Sequence, residues 1–156
     1  MKLKITDDAA APVDAVFAAI TDFSSIEEAL RDNGISITRV GGWLNPEVGS
    51  AWTGRGAVRG KTRRIEAEVS AMEPGRMIEI EARIGGLRAV QETRFVPIGE
   101  QLTRLNVALD LRPDTLAARL LVQNLKLVRG RLLARMSRRL ATEIERIERG
   151  TGAGSA

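Results

Sequence analysis

Alternation of apolar and polar residues dominates the middle of the chain. Between residues 62 and 72, Ile65 and Ala67 begin a series of small or apolar side chains at every second position, with charged or polar residues between them. This period places successive side chains on opposite faces of a strand that is buried on one side. Gly54 and Gly56 predict a twist or a bulge in one further strand. Strands are predicted over residues 2–6, 35–40, 51–58, 62–72, 77–84, 87–96 and 102–111.

Two short helices are predicted between the first and second strands. Pro12 is followed by apolar residues at helical spacing, which predicts a helix over residues 13–20. A second helix is expected to end near Arg31. Its start is assigned to a capping box, with Ser24 as the N-cap and Glu27 reaching back to the Ser24 backbone.

The longest predicted element is a helix over residues 114–149. Its second half has one apolar face and one arginine-rich face, whereas its first half is apolar nearly all round, interrupted by Gln123 and Asn124. An unbroken helix of this length would span about 50 Å, which is long for one domain of this size. We therefore expect a bend, for which Gly130 is the candidate, or an overhang.

The order of these elements predicts the fold class. One strand, two short helices, six further strands and a long helix are segregated rather than alternating, which is typical of an α+β protein. The strands are joined by short turns and predict a seven-stranded, curved antiparallel sheet around the long C-terminal helix. Residues 1–149 are expected to form a single ligand-binding domain, with residues 150–156 as a flexible tail.

Composition narrows the chemistry. The 156 residues include no His, Cys or Tyr, so neither a thiolate nor an imidazole is available as a catalytic group or metal ligand. Neither a catalytic residue, a metal site nor a cofactor is predicted, and an enzyme is the less favoured class. The N-terminus lacks the apolar segment of a signal peptide, and a cytoplasmic location is expected by default.

Positive charge is concentrated in the long helix. The net charge is +4, and residues 115–142 contain seven basic side chains and no acidic one. A solvated helix face is the simplest interpretation. The alternative is docking to an anionic membrane surface through Arg131, Arg135 and Arg138. Nucleic acid is disfavoured as a partner because aromatic residues, which stack on bases, make up only 3% of the chain.

Three segments resemble the helix-grip superfamily, which includes the birch-pollen-allergen-like, START lipid-transfer and polyketide cyclase/dehydrase (SRPBCC) families. The segment APVDAVFAAITDFSSIEEAL resembles the first-helix signature of the superfamily. The segment RRIEAEVSAMEPGRMIEIEA resembles its central hairpin, and FVPIGEQLTRLNVALDLRP resembles its sixth and seventh strands. The resemblance covers residues 2–149. It implies a cavity for hydrophobic small molecules such as lipids, isoprenoids or polyketides, and activities that differ among members.

The predicted ligand site lies on the inward faces of the strands and on the first half of the long helix. Gln91 and Thr93 are expected to be polar groups within an apolar cavity, where they orient a ligand or bond only to each other or to water. The expected ligand-binding residues are Trp52, Gln91, Thr93, Phe95, Leu105, Val107, Leu109, Leu120 and Asn124.

Three functions compete at this stage. The leading hypothesis is the binding or carriage of a hydrophobic small molecule. The first alternative is a polyketide cyclase/dehydrase-type enzyme that uses Gln91, Thr93 or an unexpectedly inward carboxylate to orient an enol or a water molecule. The second is an interaction module that acts through the basic helix face. The strand carboxylates do not favour the enzyme, because they fall opposite the apolar set and are expected to form cross-strand ion pairs on the outer surface.

Overall fold

The predicted α+β architecture is confirmed. A computed structural model describes residues 1–58 and 60–154. The strands are β1 (Lys2–Ala9), β2 (Ser36–Val40), β3 (Ala51–Val58), β4 (Lys61–Glu73), β5 (Met77–Ile84), β6 (Leu87–Gly99) and β7 (Leu102–Pro113). The helices are α1 (Val13–Ile20), α2 (Phe23–Asp32), α3 (Leu116–Leu127) and α4 (Arg129–Gly154). All seven predicted strands are present, with ends that differ by a few residues.

The seven strands form one antiparallel sheet in the order β1-β7-β6-β5-β4-β3-β2. Its register shows which side chains share a face, because Cα partners on neighbouring strands point the same way. One such row runs from Leu3 through Leu109 and Gln91 to Ile80. We call the face that carries this row the concave face. Gln91, Thr93 and Phe95, the residues of β6 that were predicted to face inward, therefore share this face.

The long C-terminal helix is two helices. α3 ends at Leu127, its C-cap Val128 has a non-helical φ of −114° and ψ of 22°, and α4 starts at Arg129. The expected bend is present, but it lies at Val128 rather than at Gly130. α4 also extends to Gly154, beyond the predicted end at residue 149. Residues 155 and 156 of the expected tail lie outside the described residues, and flexibility of the tail stays a prediction.

The helices cover different parts of the concave face. α4 packs against β1 and α1, α3 packs against β7, and α2 packs against β2. Leu140 and Ile144 of α4 join Phe95 and Leu105 in the main hydrophobic core. Gln91 lies between the regions covered by α2 and α3 and is exposed to solvent. The helices therefore leave the concave face uncovered at Gln91, and we call this uncovered part the open groove. Along the described stretches of chain, we find no helix with the length and apolarity needed to cross a bilayer.

Gly54 is required by a close approach of two strands. Of the two alternatives predicted at Gly54 and Gly56, a twist or a bulge, the bulge is excluded, because β3 pairs without a register shift on both sides. A Cβ atom at residue 54 would instead lie 2.1 Å from the carbonyl oxygen of Ser36 on β2. Register shifts are found elsewhere, on β4 between Val69 and Ala71 and near the end of β6.

We expect Gly54→Ala to lower the free energy of unfolding by about 2 kcal/mol or more, since the added methyl group must displace the backbone of β2. Urea unfolding followed by far-ultraviolet circular dichroism measures this. Gly130→Ala is the matched control. A Cβ at residue 130 meets nothing within 4 Å, and the change should raise stability by about 0.5–1 kcal/mol. An undiminished stability of Gly54→Ala would contradict the close approach.

Candidate ligand cavity

A cavity of about 270 Å³ lies between α2 and the concave face of β2 to β5. Its wall is apolar throughout. From α2 it is lined by Phe23, Ile26, Glu27 and Leu30, which follow one another at helical spacing on one face of the helix. Glu27 contributes only the hydrocarbon part of its side chain to this surface. The α2 side of the cavity is thus a strip of hydrocarbon that faces the sheet.

A row of alanines gives the sheet side of the cavity its depth. Ala67 of β4 pairs with Ala82 of β5, which pairs in turn with Ala89 of β6. Bulkier side chains flank this row, with Ile65 and Ile84 on one side and Val69 and Ile80 on the other. Because each alanine has only a methyl group, the sheet surface is recessed along the row. Ala67 and Ala82 lie in the cavity wall itself.

A buried ion pair borders the cavity. Glu27 is only 6% exposed. Its Oε2 accepts hydrogen bonds from Arg39 Nε at 2.8 Å and from Trp52 Nε1 at 2.8 Å, and its Oε1 accepts one from Arg39 Nη2 at 3.0 Å. The three residues come from α2, β2 and β3, so this one carboxylate joins three elements.

The Glu27 carboxylate is held in its charged form. Burial raises the pKa of Glu27, but hydrogen bonds from Arg39 and Trp52 outweigh this effect and leave the pKa below its ordinary value of 4.5. Arg39 is committed to structure as well, since it also donates to the carbonyl oxygens of Trp43 and Leu44 and to Ser24 Oγ. The pair is therefore suited to holding α2 in place rather than to exchanging protons with a ligand.

Aromatic rings surround the ion pair. The ring centroids of Trp43 and Trp52 lie 4.9 Å apart in an edge-to-face arrangement, and Phe23 packs edge-on against Trp52 at the same distance. The guanidinium carbon of Arg39 lies 4.1 Å from the centroid of the Trp43 ring, which adds a cation–π contact. This packing orders the loop between β2 and β3 beside the cavity.

The predicted ligand residues divide between the cavity, the open groove and the core. Trp52 lines the cavity, where its binding role stays a prediction. Gln91 lies on the concave face but in the open groove, and Thr93 is buried outside the cavity wall. Phe95 and Leu105 belong to the core, where Phe95 packs against Phe17 of α1 at 5.1 Å between ring centroids.

The remaining predicted residues lie away from the cavity. Val107 packs against the core and Leu109 is half-buried on the concave face of β7. Leu120 and Asn124 are exposed, on the side of α3 that faces solvent. The expectation that they line a cavity is not met, because α3 turns Ala118 and Val122, rather than these two residues, towards the protein.

The sequence analysis missed Glu27 and Arg39. The predicted capping box is wrong, since α2 already starts at Phe23 and Asp22 is its N-cap, accepting from Ser25 N at 3.4 Å. The capping box gave Glu27 a backbone contact that it does not make. The one available signal of a buried ion pair was the acidic residue Glu27 next to Ile26 on the apolar face of this helix. The sequence could not identify the partners of Glu27, because they lie on later strands.

The outer face of the sheet carries ion pairs, as predicted, but only some of them join neighbouring strands. Arg104 of β7 pairs with Asp8 of β1 at 2.9 Å. The pairs of Arg64 with Glu66 at 2.8 Å and of Arg94 with Glu92 at 2.7 Å instead join residues two positions apart on one strand. A depression of about 420 Å³ on this side is lined largely by such charged side chains. No cluster of three or more potential metal-ligating side chains occurs in residues 1–58 and 60–154.

We expect Glu27→Leu to lower the free energy of unfolding by about 3 kcal/mol at pH 7, because Arg39 and the Trp52 indole lose their acceptor. The folded-state pKa of Glu27 is lowered, so its stabilisation is complete above pH 4.5 and is lost as the pH falls through the folded-state value. The stability difference between wild type and variant should therefore shrink at about pH 3. Urea unfolding at both pH values measures it.

Glu66→Leu is the control for this experiment, since Glu66 pairs with Arg64 on the exposed outer face. Its unfolding midpoint should stay close to that of the wild type. If the two variants lost equal stability, the Glu27 carboxylate would have no special role in the fold.

Comparisons with known proteins agree with this geometry. The family model described as polyketide cyclase/dehydrase and lipid transport matches residues 2–145. No curated protein matches the sequence significantly.

Solved structures share the fold at low sequence identity. TTHA0849 from Thermus thermophilus is 18% identical, with 94% of this chain and 97% of that chain covered and a TM-score of 0.63. The Zhui aromatase/cyclase from Streptomyces sp. R1128 is 13% identical, with 96% and 94% covered and a TM-score of 0.67. Ara h 8.0201 is 17% identical, with 95% of both chains covered and a TM-score of 0.55. The chain therefore belongs to the polyketide cyclase/dehydrase and lipid transport family, and its resemblance to the helix-grip superfamily is confirmed.

Proposed function

We propose that this protein binds and carries a hydrophobic small molecule in the cavity between α2 and β2 to β5. The observation that carries the proposal is the apolar wall, from which the one bordering carboxylate, Glu27, is turned away towards Arg39 and Trp52. An apolar group that enters such a cavity leaves water, and no polar group of the protein loses its hydrogen-bond partner. Each buried methylene then contributes about 0.8 kcal/mol to binding.

Family membership supports the same class of ligand. Proteins of this family typically bind hydrophobic ligands, and lipid transport is part of the family's description. A lipid, an isoprenoid or a polyketide-like molecule fits that class.

The dimensions of the site support a ligand with an apolar body and a polar end. The cavity of about 270 Å³ is near the lower limit of the roughly 300–1,000 Å³ typical of ligand pockets. It adjoins the open groove, because Ile80 in the cavity wall is the strand partner of Gln91. An apolar chain that fills the cavity and continues past Ile80 would bring its polar end to the Gln91 amide.

The enzymatic alternative finds less support in this geometry. A polyketide cyclase-type reaction would depend on Gln91, Thr93 or an inward carboxylate. Gln91 and Thr93 do not line the cavity, and the carboxylate of Glu27, which borders it, is already engaged by Arg39 and Trp52. The likeness to the Zhui aromatase/cyclase, at 13% identity, is a likeness in fold. We therefore prefer the carrier function.

Filling the alanine row should block binding. We expect Ala82→Phe to weaken the binding of N-phenylnaphthylamine, an uncharged apolar fluorophore, by about tenfold or more, because the ring occupies the recess. Titration followed by probe fluorescence measures the affinity. Ala108→Phe is the matched control, since Ala108 lies in the same sheet, two strands away, and pairs with Lys4 and Glu92 on the outer face. Unchanged affinity in a folded Ala82→Phe protein would overturn the assignment of the cavity.

A second substitution tests the polar end. We expect Gln91→Leu to weaken the binding of a medium-chain fatty acid about fivefold, the equivalent of one lost hydrogen bond, while the affinity for N-phenylnaphthylamine stays the same. Competition between the two ligands measures both affinities. If both fell together, Gln91 would act through the shape of the groove, and if neither fell, the polar end would lie elsewhere.

A further inference from the structure

α3 has two apolar faces on opposite sides. Its inner face buries Ala118 and Val122 against the protein. Its outer face exposes Leu116, Leu120 and Leu127, which are 74%, 61% and 84% accessible to solvent. Spacings of four and seven residues place these leucines within about 40° of one another around the helix axis. We call them the leucine stripe. Single exposed leucines are ordinary on a protein surface, whereas an aligned set marks a surface that meets something apolar.

Unpaired positive charge accompanies the leucine stripe. Six basic side chains between residues 119 and 139, on α3 and α4, are exposed and have neither an ion pair nor a side-chain hydrogen bond among the described residues. They are Arg119, Lys126, Arg131, Arg135, Arg138 and Arg139. Several arginines of the sheet, by contrast, have a carboxylate partner, as Arg104 does in Asp8 and Arg112 does in Asp110. The basic side chains of the two helices are thus available to an anionic partner, whereas these arginines of the sheet are already paired.

The leucine stripe begins beside the ligand site. The backbone N–H of Asp114 donates to Gly86 O at 2.8 Å, which ties the entry to α3 to the β5–β6 hairpin. That hairpin follows Ile84, a residue of the cavity wall. A surface that contacts the leucine stripe would therefore lie near one edge of the cavity.

We propose that α3 docks on the surface of an anionic lipid bilayer, with the leucine stripe in the acyl boundary and the basic side chains at the phosphate groups. An apolar helix face bordered by lysine and arginine is the pattern of a helix that lies in a membrane interface. A nucleic acid would bind the basic side chains but would leave the leucine stripe without an apolar contact. The inference rests on the proposed function, since docking brings the cavity to a source of hydrophobic ligand.

Vesicle flotation of the full-length protein tests the proposal. The protein should bind vesicles of equal parts phosphatidylglycerol and phosphatidylcholine, bind pure phosphatidylcholine far more weakly, and be released by high salt. Leu120→Ser/Leu127→Ser should lower the partition coefficient about 100-fold, since each buried leucine is worth roughly tenfold. Arg131→Glu/Arg135→Glu/Arg138→Glu should lower it by about 100-fold or more, at about fivefold or more for each charge.

Leu44→Ser/Val48→Ser is the matched control, because these two large apolar residues are exposed on the loop between β2 and β3. It should bind vesicles like the wild type. All variants should keep their affinity for N-phenylnaphthylamine, which separates docking from ligand binding. Absence of vesicle binding by the wild type, equal loss in the control, or a leucine-dependent dimer seen by sedimentation without vesicle binding would each overturn the docking proposal. Absence of probe binding by the wild type would instead overturn the carrier function.

Discussion

The hydrogen bonds that Glu27 accepts from Arg39 and Trp52 determine where α2 stands over the sheet. A carboxylate in this position is costly to remove from water, and three donor hydrogen bonds at 2.8–3.0 Å offset that cost. The carboxylate of Glu27 thus holds α2 away from the strands, while the apolar side chains of the helix face them. A polar anchor thereby maintains an apolar cavity, because the charge that fixes the helix points away from the space it leaves open.

Much of the fold could be predicted because its signals are local. Most strands are predicted by the alternation of apolar side chains, such as Ile65 and Ala67, with charged neighbours. Each such pattern lies within a few consecutive residues. The short turns then restrict the strand order to neighbours along the chain. The pairing of β1 with β7 joins the first and last strands of the chain, and no local pattern indicates it.

The features that could not be predicted depend on contacts between distant residues. Glu27 fits a capping pattern with Ser24, and only the folded sheet brings Arg39 and Trp52 to it. Gly54 suggested a twist or a bulge, but glycine is required there because the carbonyl group of Ser36 on the next strand lies so close. Most of the predicted ligand residues belong to β6 and β7, whereas the apolar cavity lies between α2 and β2 to β5. The sequence shows which side chains are apolar, whereas the positions of α2, α3 and α4 decide which of them remain uncovered.

The aromatic cluster beside the cavity gives the molecule an unusual optical property. The chain has two tryptophans and no tyrosine, and the two indole rings lie 4.9 Å apart. Indoles at this separation interact electronically, and both lie against the ion pair that positions α2. The intrinsic fluorescence and most of the near-ultraviolet circular dichroism of the whole protein therefore arise from one place. In most proteins these signals average over the fold, but here they form a built-in reporter of a single edge of the cavity.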